Sequence, residues 1–585
     1  MKVNIIGISA FYHDASCCIL QDGKLIAAAE EERFTRIKFD PSIPKKALNY
    51  CLQEAGITLN DIDCIAFYED PRKKISRQIW SGLIKNDSTL KDTNFNKVAD
   101  EIRDVLGYEG KIIYVDHHAS HAASAYYFSG FNDAALLTVD GVGEWATTTY
   151  GTGKGNDIEL FEEVHFPHSI GLLYSTITSY LGFLVNNGEY KVMGLAPYGE
   201  AIYVDKIREL IELHENGQFK LNMKYFDFVK GNRMYTDLLP ELFGSAPRER
   251  ESEMEQFHMD VAKSLQVVLE ETLIEKANYL YEKTGADNLC MAGGVALNCV
   301  ANGKILKHTK FKKLFVQPSS NDAGGALGAA ALAHLQLTGK RPINEQIPHV
   351  YLGPSYTAEE IKQTLGATNI YYQNLIGDQK NLMKEVAARL SEGKVIGWFQ
   401  GRMEFGPRAL GARSIIADPR NSEMKDRINA MVKKREGFRP FAPAALHEKA
   451  AEHFDIDHES PFMLETCQVI SKLALPAITH VDGSARLQTV TKEANGRFYE
   501  LLKAFDEITD CPILLNTSFN VRGEPIVCTP EDAIRCFVDT DIDCLVLGDF
   551  IIDRSQNNFD LLRLFLQNDA NKIKSGIEHD VYTFI

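Results

Sequence analysis

Two closely spaced histidines are the first residues whose spacing indicates chemistry. They lie in the segment VDHHASHAASAYY. If this segment is helical, His117 and His121 share one face at the spacing of paired metal ligands, and His118 with His121 is the competing pair. Asp140 ends an apolar run, and Asp322 lies in a polar loop before a run of small residues. Two imidazoles and two carboxylates suit iron, manganese or zinc, and the residue types do not choose among these metals.

Four polar turns stand at the ends of predicted strands: HDAS, DGVGE, MAGGVALN and NDAGGALG. The three that contain glycine can present backbone N–H groups to phosphate oxygens without obstruction by a Cβ atom. Their distribution over both halves of the N-terminal region favours a bound nucleotide, although no Walker A motif is present. The candidate ATP- and phosphate-binding residues in these turns are Asp14, Gly141, Gly143, Glu144, Gly293, Gly294, Asn298, Gly324 and Gly325.

A basic segment stands out in the C-terminal half. Residues 402–439 hold ten Lys or Arg and five Asp or Glu, in a chain whose formal net charge is −17 at pH 7. The arginines alternate with Gly, Pro, Phe and Ala, as in GRMEFGPRALGAR, which indicates partly buried guanidinium groups that need anionic partners. The segment LNTSFNVRGEPIV adds polar side chains at another strand end. We expect a small anionic substrate here, because a repeated array of stacking aromatic residues, as nucleic acid would require, is absent.

The elements that must position these residues follow an α/β pattern. Two similar β-hairpin units, beginning near residues 3 and 134, predict a duplicated domain. Predicted strands cover residues 3–9, 17–20, 25–29, 62–68, 134–139, 145–150, 158–164, 288–292 and 395–399, and predicted helices cover 44–55, 94–106, 257–281 and 380–392. A stretch without periodicity near residues 338–356 marks a boundary. We therefore expect domains at 1–345 and 346–560, followed by a tail at 561–585.

The overall composition excludes several classes of protein. The strongly negative charge disfavours binding to nucleic acid or to an anionic membrane surface. No run of apolar residues is long enough to span a membrane, and the first residues lack the pattern of a signal peptide. The 11 cysteines include no CxxC pair, which favours reduced cysteines in apolar cores. The expected compartment is the cytoplasm.

Eight segments in matching order resemble the NodU/CmcH O-carbamoyltransferase family. They are HDASCCIL, EEERFTRIK, DHHASHAASAY, DGVGEW, EYKVMGLAPYG, MAGGVALNCVANGKI, FQGRMEFGPRALGARSI and LNTSFNVRGEPIV. The resemblance implies an N-terminal domain similar to actin, chaperone ATPases and sugar kinases, followed by a YrdC-like α/β C-terminal domain. It also implies an activity: carbamoyl phosphate and ATP form a carbamoyl-adenylate, whose carbamoyl group passes to a hydroxyl of a small natural-product acceptor.

The resemblance assigns roles to individual residues. It implies His117, His121, Asp140 and Asp322 as ligands of a divalent metal, usually Fe(II), with Mn and Zn as alternatives and Mg with the nucleotide. His13 matches the catalytic histidine of the family. The strand-end loop that would hold the adenosine contains Gly293, Gly294 and Asn298. Residues that match positions around carbamoyl phosphate are Lys38, Gln400, Arg402, Arg435 and Ser518.

Two other functions remain open at this stage. A small-molecule kinase would produce ADP, but this interpretation assigns no function to the basic C-terminal segment. A non-catalytic nucleotide switch would tolerate changes at His13 and Arg402. The sequence identifies neither the acceptor nor the oligomeric state.

Overall fold

The computed structural model describes residues 2–82, 96–229, 233–342, 346–368, 370–433, 436–559 and 563. These residues form two compact units. One contains the chain up to Glu31 and Phe39–Ile347, and the other contains Glu32–Lys38 and the chain from Pro348 onward. Arg435 and, apart from Arg563, the predicted tail lie outside the described residues.

The first unit contains two five-stranded sheets with the same topology. In each sheet the first three strands form an antiparallel meander, and the fourth and fifth strands add in parallel beside the first. One sheet has the order β3-β2-β1-β4-β5 and the other β8-β7-β6-β11-β12. The predicted duplication is thus confirmed. The strands of these sheets are β1 Asn4–Ser9, β2 Ser16–Gln21, β3 Lys24–Glu30, β4 Cys64–Phe67, β5 Lys111–Tyr114, β6 Asp133–Val139, β7 Ala146–Lys154, β8 Asp157–His165, β11 Asn288–Ala292 and β12 Lys313–Val316. A separate antiparallel pair consists of β9 Ile211–Leu213 and β10 Phe219–Leu221.

Helices surround these sheets. Every residue of β1 is buried, as expected for a central strand with both faces covered. The long helix predicted at residues 257–281 is present as Gln256–Thr284, and the histidine segment is helical as expected. The α-helices of this unit are Lys45–Ala55, Pro71–Trp80, Lys97–Leu106, His117–Tyr126, Ile170–Tyr180, Glu189–Leu195, Val204–Arg208, Leu238–Phe243, Gln256–Thr284, Cys299–His308 and Asp322–Thr338.

The second unit is built on one eight-stranded mixed sheet. Its strand order is β13-β22-β21-β14-β15-β20-β16-β19, and β17 and β18 form a separate pair. The strands are β13 Gln373–Asn374, β14 Ile396–Phe399, β15 Arg413–Ala417, β16 Ala442–Leu446, β17 Cys467–Gln468, β18 Ser484–Ala485, β19 Gln488–Val490, β20 Ile513–Ser518, β21 Cys544–Leu547 and β22 Phe550–Asp553. The α-helices are Glu32–Thr35, Ala358–Thr368, Gln379–Ser391, Met424–Ile428, His447–Ala450, Gly496–Thr509 and Pro530–Asp539. The predicted α/β class is confirmed for both units.

The segment Glu32–Lys38 joins the second unit although it is remote in sequence. Arg36 donates hydrogen bonds to the carbonyls of Pro525 and Ile526, at 2.8 and 2.6 Å. Arg33 donates to the carbonyl of Gly406 at 2.9 Å. These arginines donate to backbone carbonyls, so the segment Glu32–Lys38 is a structural part of the second unit.

Among the described residues, none of the helices is both long enough and apolar enough to cross a bilayer.

Lys276 is a buried lysine in the helix Gln256–Thr284. Its Nζ donates to the hydroxyl of Tyr150 at 2.6 Å and to the carbonyl of Gly217. The ammonium also lies 4.6 Å from the centroid of the Phe219 ring. Burial disfavours the charged form and lowers the pKa of Lys276 to about 7. The lysine therefore titrates in the folded protein at a pH where it stays charged in the unfolded chain.

We expect Lys276→Met to flatten the pH dependence of stability. An unfolded lysine titrates at about 10.4, so between about pH 7 and pH 10 unfolding takes up a proton at this residue. The free energy of unfolding of the wild type should therefore rise with pH by about 1.4 kcal/mol per unit more than that of the variant. Urea denaturation at about pH 6.5, pH 8 and pH 9 measures this difference. Parallel curves for the two proteins would contradict the prediction.

Candidate functional site

The four residues of the candidate metal site come from three segments of the first unit. His117 and His121 stand one turn apart on the helix His117–Tyr126. Asp140 directly follows β6, and Asp322 is the first residue of the helix Asp322–Thr338. All four side chains are buried. The duplicated topology therefore brings together residues as far apart in the chain as His117 and Asp322.

The donor atoms of these residues face one another. The Nε2 atoms of His117 and His121 are 3.0 Å apart, and His117 Nε2 lies 3.1 Å from Asp140 Oδ2. Asp322 Oδ1 lies 3.6 Å from each Nε2. All four ligand atoms lie within 4.8 Å of one another. A tetrahedral site with bonds of about 2.1 Å has edges of about 3.4 Å, so the cluster has the dimensions of a site for one divalent cation.

The protonation of the cluster follows from its charges. Burial opposes charge on Asp140, but the hydrogen bond from His117 and the positive charge of the nearby His117 and His121 outweigh it and hold the pKa of Asp140 well below its usual range. Burial likewise opposes charge on His121, and the two carboxylates Asp140 and Asp322 nevertheless raise its pKa to about 9. Without a metal the protein stabilises positive charge on the imidazoles at this point. A bound cation would replace these protons.

His118 is engaged elsewhere. Its Nδ1 lies 2.6 Å from the hydroxyl of Thr138, and its Nε2 lies 2.8 Å from the carbonyl of Ala146. Burial, together with the positive charge of His117 and His121, holds the pKa of His118 well below its usual value. Of the two pairs suggested by spacing, His117 with His121 is the one that faces the carboxylates.

His13 forms a hydrogen-bonded group with Asp14 and Asn321. His13 Nδ1 lies 2.6 Å from Asp14 Oδ2, and Asn321 Nδ2 donates to the same oxygen at 2.7 Å. Burial opposes charge on His13, but the carboxylates of Asp14, Asp322 and Asp140 raise its pKa to about 9. With Nδ1 held by Asp14, Nε2 is the ring atom left to exchange a proton with a substrate.

Glycines allow the loops to approach the cluster. A Cβ atom on Gly143 would lie 2.8 Å from the ring of His117. Gly293 adopts a φ of 95°, and a Cβ there would lie 2.3 Å from the carbonyl oxygen of Val139. The N–H of Gly294 donates to Asp140 Oδ1 at 2.8 Å and so orients that carboxylate.

The other predicted nucleotide residues lie in the same loops. Gly141 follows Asp140, whereas Gly324 and Gly325 lie in the first turn of the helix Asp322–Thr338. Asn298 caps the helix Cys299–His308 and exchanges two 3.0 Å hydrogen bonds with Gln266. The carboxylate of Glu144 accepts hydrogen bonds from backbone N–H groups.

The predicted carbamoyl-phosphate residues of the second unit have different environments. Gln400 accepts a 2.7 Å hydrogen bond from Arg497 and donates to the carbonyl of Gly548. Arg402 donates to the carbonyls of residues 352 and 353, at 2.7 and 3.2 Å. Lys38 pairs with Glu32 at 3.1 Å. Arg435 lies outside the described residues.

Ser518 lies beside a lysine that sequence reasoning did not single out. Lys433 ends a π-helical turn, and its buried Nζ lies 3.2 Å from Ser518 Oγ and 2.8 Å from Asn520 Oδ1. Such turns are frequent at functional sites. In the sequence Lys433 is one of ten basic residues in its segment, and spacing alone gives no reason to prefer it.

A small cavity lies against the cluster of two histidines and two aspartates. His117 and Asp322 line it together with Glu69, Lys74 and Arg77. Lys74 Nζ donates to Glu69 Oε1 at 2.9 Å. Sequence reasoning missed these three charged residues, because nothing in the stretch YEDPRKKISRQ distinguishes them from a solvated helix face.

Comparison with known proteins identifies the class. Residues 4–331 match the family model described as carbamoyltransferase N-terminus, and residues 387–554 match the one described as carbamoyltransferase C-terminus. The chain belongs to the carbamoyltransferase family and is an enzyme of that class. The resemblance to the NodU/CmcH family is thereby confirmed.

The chain is similar to several known proteins over most of its length. Nodulation protein NolNO of Sinorhizobium fredii is 40% identical, over 93% of this chain and 80% of that protein. The 3'-hydroxymethylcephem-O-carbamoyltransferase of Streptomyces clavuligerus is 28% identical, over 92% of this chain and 96% of that protein. An uncharacterized protein of Synechocystis is 46% identical, over 94% and 97% of the two chains.

Similarity to solved structures is weaker. HypF of T. kodakarensis aligns over 58% of this chain and 48% of its own, with a TM-score of 0.32 and 14% identity. A ROK hexokinase of Thermus thermophilus aligns over 57% and 100% of the two chains, with a TM-score of 0.28 and 14% identity.

Proposed function

We propose that the protein is an ATP- and metal-dependent O-carbamoyltransferase that acts on a small hydroxyl-bearing acceptor. The observation that carries this proposal is the buried cluster of two histidines and two aspartates, whose donor atoms lie within 4.8 Å of one another. In the same unit His13 is held by Asp14 through its Nδ1 atom. Transfer of a carbamoyl group from an anionic nucleotide to a hydroxyl needs a cation to offset the phosphate charge and a base to accept the hydroxyl proton. The cluster and His13 are the candidates for these two roles.

The proposed reaction has two stages. Water attacks the carbonyl carbon of carbamoyl phosphate, the bond from that carbon to the phosphate oxygen breaks, and phosphate leaves, which gives carbamate. A carbamate oxygen then attacks the α-phosphorus of ATP and displaces pyrophosphate, which gives carbamoyl-adenylate. The acceptor oxygen then attacks the carbamoyl carbon, the bond from that carbon to the phosphate oxygen breaks, and AMP leaves with the electron pair. Adenylation is needed because carbamate itself carries no good leaving group.

Protein residues hold and orient the reactants in the second stage. We assign the metal, in first place Fe(II) with Mn or Zn as alternatives, to His117, His121, Asp140 and Asp322. When bound, the metal supplies positive charge that offsets the charge of the nucleotide phosphate. His13 Nε2 accepts the proton of the acceptor hydroxyl, while Asp14 holds Nδ1 and stabilises the imidazolium that forms. Mg with ATP completes the cofactor set.

The loops around the cluster are assigned to the nucleotide. Backbone N–H groups at strand ends and at helix N-termini favour phosphate oxygens. We assign to this task Gly141, Gly143, Gly293, Gly294, Gly324 and Gly325, with Asn298 beside them.

We assign first-stage chemistry to the second unit. Lys433, whose buried ammonium group donates to Ser518 Oγ and Asn520 Oδ1, is added to this site because a positive charge beside Ser518 favours a small anion. Gln400, Arg402, Lys38 and Arg435 complete the proposed carbamoyl-phosphate set by resemblance. The expected compartment is the cytoplasm.

Product analysis tests the proposal. Purified, metal-loaded protein is incubated with ATP and carbamoyl phosphate, and pyrophosphate and ADP are measured with and without carbamoyl phosphate. Release of pyrophosphate that depends on carbamoyl phosphate is the expected result. Formation of ADP without pyrophosphate would instead assign the protein to the kinase class, since phosphoryl transfer leaves the α-phosphate untouched.

A further inference from the structure

Glu144 lies at the end of the DGVGE loop and is 5% exposed. Its Oε1 accepts hydrogen bonds from the backbone N–H of His117 at 2.9 Å and from that of Asp70 at 2.7 Å. Its Oε2 lies 3.1 Å from the same N–H of His117. Both carboxylate oxygens therefore face backbone donors of the protein.

The two donors belong to elements that form the candidate site. His117 is the first residue of the helix His117–Tyr126, and its Nε2 is one of the four clustered donor atoms. Asp70 is the N-cap of the helix Pro71–Trp80, which contributes Lys74 to the cavity beside the cluster. Backbone N–H groups at a helix N-terminus lack partners within the helix, and a negative charge there is favourable. One buried carboxylate thus joins the start of both helices.

This geometry does not suit a phosphate ligand. A carboxylate that contacts a nucleotide would repel its phosphate oxygens, whereas the oxygens of Glu144 are turned toward N–H groups of the protein. Gly143, the preceding residue, packs so closely on the His117 ring that a Cβ would lie 2.8 Å from it. The loop therefore restrains both the backbone and the ring of the same histidine.

We propose that Glu144 is a positioning residue that fixes His117 for metal binding and ties the metal-ligand helix to the helix that lines the cavity. The inference rests on the metal site of the proposed function. Glu144 is not one of the four clustered residues and contacts the backbone N–H of His117, so it acts through His117.

Glu144→Gln tests this role with little change in shape. The amide oxygen can keep both hydrogen bonds of Oε1, but the NH₂ group that replaces Oε2 then lies donor against donor beside the N–H of His117. The substitution also removes the negative charge from the starts of the two helices. We expect zinc affinity of the metal-free protein, measured by competition with a chromophoric chelator, to fall about tenfold or more. Hydrogen exchange should become faster in peptides that contain Asp70 and His117, and addition of zinc should restore protection less than in the wild type.

Glu159→Gln is the matched control, because it removes the same charge at an exposed position of β8. It should bind zinc like the wild type. Equal zinc affinity of wild type and Glu144→Gln would overturn the inference. Wild-type protein that binds no zinc, iron or manganese would overturn the proposed metal site itself, which is a separate outcome. If Glu144→Gln fails to fold, Glu144→Asp retains the charge with a shorter reach, and unchanged affinity of that variant would also overturn the inference.

Discussion

Replacing His121 by alanine is expected to weaken divalent-metal binding by about 100-fold or more. The ring supplies one of four donor atoms, and it lies 3.0 Å from His117 Nε2 and 3.6 Å from Asp322 Oδ1. Apparent binding energies of four-ligand zinc sites are about 10–16 kcal/mol, so one ligand accounts for roughly 3 kcal/mol, which corresponds to about 100-fold in affinity. Isothermal titration of the metal-free protein with zinc or manganese measures the effect.

His118→Asn is the informative partner of this variant. His118 is also buried, and it neighbours His117 in sequence, but its ring nitrogens contact Thr138 and Ala146 instead of the cluster. We expect a loss of thermal stability with near-normal metal affinity. If His118→Asn lost metal as completely as His121→Ala, the pairing of His117 with His121 would be wrong.

His13→Asn should reduce carbamoyl transfer by about 10²–10⁴-fold, the usual contribution of a general base. Asparagine retains a polar side chain of similar reach near Asp14, but it cannot accept the hydroxyl proton. Formation of pyrophosphate from ATP and carbamoyl phosphate should persist, because that stage is assigned to the second unit. Parallel assays of pyrophosphate release and of carbamoylated acceptor separate the two stages. Unchanged transfer by a folded variant would remove His13 from the mechanism.

The pH dependence of transfer gives this prediction a second readout. Neutral His13 is the reactive form, and in the metal-free protein its pKa is raised to about 9. The neutral fraction therefore grows as pH rises toward that value. Two of the carboxylates that raise the pKa, Asp140 and Asp322, are candidate metal ligands, so a bound cation should offset them and lower the pKa of His13. Transfer by wild type should rise with pH through this ionisation, and His13→Asn should lack that limb.

Much of the first unit was predictable because its signals are local. Apolar strands bounded by polar turns gave both hairpin units, and the Asp22-Gly23 turn adopts positive φ at both residues as a tight hairpin requires. The i, i+4 spacing placed His117 and His121 on one helix face. Asp140 was a candidate because it ends an apolar run and Asp322 because it lies in a polar loop before small residues, whereas their grouping with the histidines was implied by the resemblance. Strands, turns and the shared helix face of the two histidines are predictable because each depends on residues only a few positions apart.

The contacts that were missed depend on distant residues. Lys433 contacts Ser518, which lies 85 positions later in the chain, and no pattern in either segment indicates this contact. Glu32–Lys38 packs with the second unit because Arg36 finds carbonyls at residues 525 and 526. The direction in which a side chain points was not predictable either. The sequence indicates that Glu144 belongs to a phosphate-binding loop, whereas its carboxylate faces the backbone N–H of His117. Such facts require the tertiary structure.

Direct detection of carbamoyl-adenylate tests the central claim. The metal-loaded protein is mixed with ATP and carbon-labelled carbamoyl phosphate in the absence of an acceptor, quenched rapidly and analysed by mass spectrometry. The mechanism predicts labelled carbamoyl-adenylate, the mixed anhydride of carbamate and AMP, which disappears when a hydroxyl acceptor is added. Label that remains in carbamoyl phosphate or appears only as free carbamate, while ATP is converted to ADP, would contradict the adenylate mechanism.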